Sequence, residues 1–409
     1  MKKTYLRISA VISTAALIAL SVVPVLADSA TNDTTGYHSL NTTTITNSND
    51  VVVKNISDAY ISNSISDKAN TGLNSANYNT MGGVITTGNA TTNTKLENLA
   101  NINTVLIDPG MNADASYIAG NSITGAESTN LADILNQNKV KVVNDSTAYL
   151  QSRVDSKANT GGNSASYNTD GVGGSILTGQ ASSTVELENR ANDNAVCVKG
   201  LAGGSGGVVG NSITGYHSLN DASLSNINDV DVKNVSDAYV RNQVLSKANT
   251  GFNHADYNTM GGDITTGKGM SDVSLGTDAN INTVLIDVGF GDPTDTSGNS
   301  ITGAESTNLT EILNQNTFKV YNSSNKCESQ DCHDYCEPII KEGKVIGYKN
   351  CPEWGVHNVV EDKANTGGNS ASMNTFAGMI LSGIANASKE IMVRLNDTWV
   401  EIGPGVSQH

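Results

Sequence analysis

Along most of the chain, small or apolar residues alternate with polar ones at every second position. Val230, Val232, Asn234, Ser236, Ala238, Val240 and Asn242 are separated, one by one, by Asp231, Lys233, Val235, Asp237, Tyr239 and Arg241. A period of two places each set on one face of a β-strand, and the Val, Asn, Ser and Ala set is the expected inner face. The same rhythm runs through Gly179, Ala181, Ser183, Val185, Leu187 and Asn189, after a Gly-Gly turn at 173–174. Helix signals are few, and segments 130–135 and 308–313 predict a single helical turn at most.

A recurring string punctuates this alternation. Asn-Thr-Gly-Gly-Asn-Ser-Ala-Ser stands at 159–166 and again at 365–372, with near copies at 70–77 and 249–256, each preceded by Lys-Ala. Its lysines, Lys68, Lys157, Lys247 and Lys363, and a second landmark, G-N-S-I-T-G from Gly120, Gly210 and Gly298, mark a unit of roughly 90 residues. The chain therefore divides into 1–27, then repeats 28–119, 120–209, 210–297 and 298–409. Odd and even copies differ: Tyr37-His38-Ser39-Leu40 and Tyr216-His217-Ser218-Leu219 mark the first and third, Ala126-Glu127-Ser128-Thr129 and Ala304-Glu305-Ser306-Thr307 the second and fourth. Two rounds of duplication account for that pattern. Within the string, Asn and Gly supply the positive φ of a tight turn. Asn74, Asn163, Asn253 and Asn369 then resume the alternation facing inward, where stacked amides satisfy one another.

Composition changes the picture of the core. Aromatic residues make up 5% of the chain and charged residues 16%, with 40 glycines, too few large side chains for a conventional interior of this length. The expected fold is all-β: an elongated β-solenoid-like array of the four repeats. With a coil of roughly 20–24 residues, each unit holds about four coils and the stack is on the order of 75–80 Å long. The alternative is a row of tandem small β-sandwiches, disfavoured by the scarcity of apolar residues and of proline-rich linkers.

The segment Asn-x-Gly-x-Asn-x-Ala-x-x-Asn at 159–168, with equivalents at 70–79, 249–258 and 365–374, resembles the curlin repeat of bacterial curli fibres, which reads Ser…Gln-x-Gly-x-x-Asn-x-Ala-x-x-x-Gln. Ser156 and Ser246 stand at the leading Ser; Asn replaces both Gln residues, and the spacing is one residue shorter on each side. The resemblance implies stacked β layers with amide ladders in a structural or adhesive protein outside a bacterium. It implies no catalytic residues.

The amino-terminal segment fits an extracellular destination. Lys2, Lys3 and Arg7 precede an apolar run from Val11 to Val23 and the ending Val25-Leu26-Ala27, the pattern of a secretory signal peptide cleaved after Ala27. Cleavage removes three of the 24 basic residues and none of the 40 acids, leaving a net charge of −19. Such a surface repels nucleic acid and anionic lipid. No later apolar stretch has spanning length, so no transmembrane anchor is expected in the mature chain.

The fourth repeat carries about 28 extra residues, within which Cys327, Cys332, Cys336 and Cys351 fall at 327–351. In a secreted chain these are disulfide candidates, with three pairings open, and the spacing lacks the paired knuckles of a zinc site. Insertions concentrate on exposed turns, which makes this one a candidate contact surface. Cys197 is left over and reads as a small buried residue.

Asp50 and Asp229, Asp58 and Asp237, and Glu127 and Glu305 recur with the duplication, as do His38 and His217, so each belongs to the unit and not to a site built once. No catalytic residue, metal site or cofactor is expected; Asp108, Asn112 and Asp114, and Asp287, Asp292 and Asp295, could hold calcium only as an accessory. Threonines at 42–44, 46, 86 and 87 do not recur as a flat ice- or glycan-binding face. The expectation is a secreted structural or adhesive protein of the cell surface or matrix, an adhesin or a fibre subunit, whose partners are copies of itself or a surface glycan, and not an enzyme. The alternative is a β-solenoid that binds or degrades polysaccharide.

Overall fold

The computed structural model describes residues 4–11, 16–21, 29–108, 117–169, 173–199, 207–287, 295–324, 337–341, 344–349 and 355–403. Every regular element among them is a strand. The segments expected to form a helical turn lie inside the strands Thr129–Asn159 and Thr307–Ser324. Asn130, Ala132 and Ile134 keep the alternation and are buried, because Thr129–Asn159 is paired along both edges and pairing overrides a weak local tendency.

Each unit lays down four strands in the same order. The entry strands are Ser29–Asp33, Tyr117–Ser122, Gly207–Ser212 and Thr296–Ser300. The long strands are Leu40–Asn70, Thr129–Asn159 and Leu219–Asn249, and in unit four Thr307–Ser324 with Gly355–Asn365. Short strands follow at Gly83–Thr86, Gly174–Leu177, Gly262–Thr265 and Met379–Leu381. Return strands close each unit at Ala90–Asp108, Ala181–Val198 and Gly269–Asp287, and in unit four at Ala385–Leu395 with Thr398–Gly403.

Equivalent strands of successive units pair parallel and in register, stacked in the order one, two, three, four. Leu40 stands opposite Thr129, Thr129 opposite Leu219, and Leu219 opposite Thr307. Hydrogen-bonded partners are therefore a whole repeat apart, and each unit is one layer. This corrects the expectation of about four coils per unit. No turn residue interrupts Leu40–Asn70, whose burial alternates from end to end, so the chain runs on for 31 residues before folding back. At ~4.8 Å per layer the stack is ~15 Å tall, whereas a strand of that length spans ~100 Å. The long dimension lies along the strands.

Within a layer the long and return strands face each other through side chains. Val51 and Val53 meet Val105 and Ile107, Ile65 meets Leu96, and Ala69 packs beside Ala90, with the same positions of the other units above them. This gives two sheets enclosing a thin interior in which many columns repeat one kind of side chain, as Val51, Val140 and Val230 do.

The return strand changes parity halfway. Leu96, Asn98 and Ala100 are buried, then Asn101, Asn103, Val105 and Ile107. The switch sits at Asn101, Asn192, Asn280 and Asn396, all left-handed, with φ of 53°, 54°, 57° and 57°. Asn tolerates that region better than other non-glycine residues.

At the turn after the long strand, the Asn side chain bonds locally: Gly161 N–H donates to Asn159 Oδ1 at 3.3 Å and Gly251 N–H to Asn249 Oδ1 at 3.2 Å. The left-handed residue is the one after Asn-Thr-Gly, namely Leu73, Gly162, Phe252 and Gly368. The positive φ therefore falls one residue later than the sequence suggested.

The insert does not leave from a turn. Ser324 pairs with Ser236 and Gly355 with Tyr239, so it departs from the middle of the unit-four long strand, where two residues would otherwise lie. Glu337–Lys341 and Lys344–Lys349 form an antiparallel hairpin within it. At the other end of the stack, Thr4–Val11 and Ala16–Ser21 pair parallel with the free edge of Ala90–Asp108.

Candidate functional surface

The interior is organised by columns of asparagine. Asn74 Nδ2 donates to Asn163 Oδ1, Asn163 to Asn253, and Asn253 to Asn369, each at 2.9 Å. Asn163 is fully buried, and its Nδ2 also donates to Thr160 O at 2.8 Å. Further columns run through Asn41, Asn130, Asn220 and Asn308, and through Asn55, Asn144, Asn234 and Asn322, with links of 2.7–2.9 Å. In these columns Nδ2 of one unit donates to Oδ1 of the next, which gives the stack a direction. The column at Asn70 and Asn159 runs the opposite way.

One column that ties the two sheets together was not anticipated from the sequence. Asn101 Nδ2 donates to Asn192 Oδ1 at 2.9 Å and also reaches Thr147 O at 2.7 Å and Ser57 O at 3.0 Å on the opposite sheet. Asn192 donates to Asn280 Oδ1 at 2.9 Å and to Asp237 O at 2.8 Å. The recurring Ala-Asn pair at 100–101, 191–192 and 279–280 was the available signal.

The outer face carries two kinds of column. Tyr60, Tyr149 and Tyr239 stack with ring centroids 5.1 and 4.6 Å apart, and Tyr78, Tyr167 and Tyr257 at 4.9 and 4.8 Å. Rings so aligned present a continuous apolar and weakly polar stripe to the outside. Two of the charged columns alternate, whereas Lys68, Lys157, Lys247 and Lys363 lie opposite one another in register. His38 Nε2 lies 2.8 Å from Glu127 Oε2, and His217 Nε2 lies 2.5 Å from Glu305 Oε2. Lys139 stands between Asp50 and Asp229. In-register stacking would otherwise set like charges one layer apart, which is unfavourable. At these positions the odd and even versions of the repeat are electrostatic complements, and their recurrent acids lie two layers from each other.

Glu305 gives this arrangement a pH dependence. Its carboxyl is held below the usual carboxylate range, first by the Tyr216 hydroxyl, which donates to Oε2 at 2.7 Å, and then by His217. A lowered folded-state value contributes stability that is present above the ordinary carboxylate value and lost as pH falls through the lowered one. The denaturation midpoint is expected to drop between pH 5 and pH 3, and to drop less in Glu305→Gln. Equal acid sensitivity of the two proteins in urea titrations would contradict this.

Cys327, Cys332, Cys336 and Cys351 lie outside the described residues, as do Asn112, Asp114 and Asp292. Asp295 uses both carboxylate oxygens within the fold: Oδ1 accepts from Gly207 N–H at 2.9 Å and Oδ2 from Asn226 Nδ2 at 3.0 Å. Cys197 is buried beside Leu285, with Leu106 against them. Among the described residues no three His, Cys, Asp or Glu side chains converge as a metal site, and no helix is long and apolar enough to cross a membrane. Thr43 and Thr87 face inward and are buried. No family model, curated protein or solved structure matches the chain.

Proposed function

We propose that this chain is a secreted structural and adhesive protein of the cell surface or extracellular matrix, a building block of β fibres with a solenoid-like course. The observation that carries this reading is the in-register parallel stacking of asparagine columns across four layers, with tyrosine columns across three of them. An interior of paired asparagines and small apolar residues needs few large side chains, and a backbone hydrogen-bonded along every layer resists shear and proteolysis. The tyrosine stripes offer flat aromatic ground for sugar rings or other polymers, and the insert offers a separate contact surface at one end.

Replacing residues 325–354 by Asp-Ala, the pair found at 237–238 of unit three, tests where contact is made. The stack is expected to keep its denaturation midpoint within ~0.5 kcal/mol of unfolding free energy, as for surface changes. Attachment to cells or polysaccharide is expected to fall at least tenfold, and unchanged attachment would remove the insert from the adhesive role. Incubation with acidic polysaccharide, with and without calcium, is expected to release neither reducing nor unsaturated ends. Release of either would favour the polysaccharide-degrading alternative.

A further inference from the structure

The edge of Ala90–Asp108 that faces away from unit two is where the stack begins, and residues 4–11 and 16–21 occupy it. Thr4–Val11 pairs with 92–99 and Ala16–Ser21 with 103–108, parallel and in register. The return strands of unit four have the same layout. Ala385–Leu395 and Thr398–Gly403 are aligned, column by column through units three and two, with 90–100 and 103–108. The register columns of Leu96, Val105 and Ile107 contain Ile8, Ile18 and Leu20 in the leader and Ile391, Val400 and Ile402 in unit four.

We propose that residues 4–21 and the unit-four return strands of a second copy are rival occupants of this one edge. Removal of the leader then opens the chain to head-to-tail stacking. The inference rests on the proposed fibre-forming function and names the surfaces that would join.

Three observations favour a second copy as the occupant. Unit four ends on uncovered apolar side chains, with Ile391, Val400 and Ile402 44%, 43% and 43% exposed, although the same columns are buried in units one to three. Charge suits the copy: the column Lys95, Glu186, Ser274, Glu390 would bring Glu390 to Lys95 of the next molecule. The His38, Glu127, His217, Glu305 alternation likewise resumes with His38 of the next copy. A joint between different surfaces of identical chains repeats without closing and gives a filament.

The test compares the chain 1–409 with 28–409, and with full-length Ile8→Asp/Ile18→Asp, which should dislodge the leader without truncation. Sedimentation and electron microscopy are expected to show filaments for the last two and monomers for the first. In 28–409, Val400→Lys should reduce filament yield at least tenfold while leaving the circular dichroism of the monomer unchanged. A mixture of Thr104→Cys and Trp399→Cys chains should form an intermolecular disulfide, because in-register parallel neighbours fall within disulfide range. The same mixture made in 1–409 should not. Monomeric 28–409, undiminished filaments of Val400→Lys, or cross-linking that ignores the leader would each overturn the proposal. Cross-linking together with failed attachment would leave it standing and sink the adhesive reading alone.

Discussion

Asn192→Ala is expected to lower the unfolding free energy by about 4 kcal/mol, among the largest effects of any single substitution in the chain. Asn192 is fully buried, accepts from Asn101 Nδ2 at 2.9 Å, and donates to Asn280 Oδ1 and to Asp237 O. Alanine removes a partner from each of these groups in a dry interior, at ~1–3 kcal/mol for each one left unsatisfied. It must also hold the left-handed backbone, with φ of 54°, which costs a residue bearing Cβ about 1–2 kcal/mol. Asn192→Gly relieves only the backbone part and should recover about 1 kcal/mol of the loss. Asn192→Asp keeps the acceptor but sets a carboxylate beside the Asp237 carbonyl, and should be at least as harmful as alanine. Chemical denaturation of the three variants reads these differences. An alanine variant within ~1 kcal/mol of the wild type would mean that the column does not carry the fold.

The parity switch at that residue also marks the limit of what the sequence made legible. Alternation alone placed Val230, Val232, Asn234 and Ser236 on one face, and all four are buried. A left-handed Asn inside a strand breaks the period of two without a Gly or Pro to announce it, so the inward set beyond Ala191 could not be read by counting. The number of layers is hidden in the sequence for a related reason. A coil of 20–24 residues needs a turn at that interval, and Leu40–Asn70 contains none. In-register pairing at a whole repeat's distance is available instead, because the repeat supplies the same or a similarly small side chain at many columns. The duplication was legible as history, but its electrostatic sense was not. Only when His38 and Glu127 lie on adjacent layers does the difference between odd and even copies become a charge pairing. The Asn-Thr-Gly string was recognised as a turn, while the reason for its glycine lies in the neighbouring layer.

That glycine sets the second large effect: Gly161→Ala is expected to destabilise by about 3 kcal/mol, at the upper end for overpacking. Gly161 does not have a positive φ. A Cβ added there would lie 2.0 Å from the Gly251 carbonyl oxygen and 2.7 Å from the Thr250 carbonyl carbon. Both are backbone atoms fixed by hydrogen bonds between the layers, with Thr160 N–H donating to Asn249 O at 2.8 Å and Gly162 N–H to Gly251 O at 2.9 Å. The obstacle cannot rotate away, so relief requires the two layers to part at the turn. The adjacent Gly162 is the contrast. Its φ is +75°, but the equivalent residues are Leu73 and Phe252, and an added Cβ would meet only the flexible end of Leu73 at 2.7 Å. Gly162→Ala should therefore cost only about 1 kcal/mol, the ordinary charge for a left-handed residue. Gly367 occupies the Gly161 position in unit four, where the nearest atom to a new Cβ is Asn365 Oδ1 at 3.9 Å. Gly367→Ala should leave the stability of the isolated chain within ~0.5 kcal/mol of the wild type. Guanidinium titrations should thus rank the variants Gly161, Gly162, Gly367 in falling order of damage. Equal losses at Gly161 and Gly367 would show that the close passage between layers does not dictate the residue.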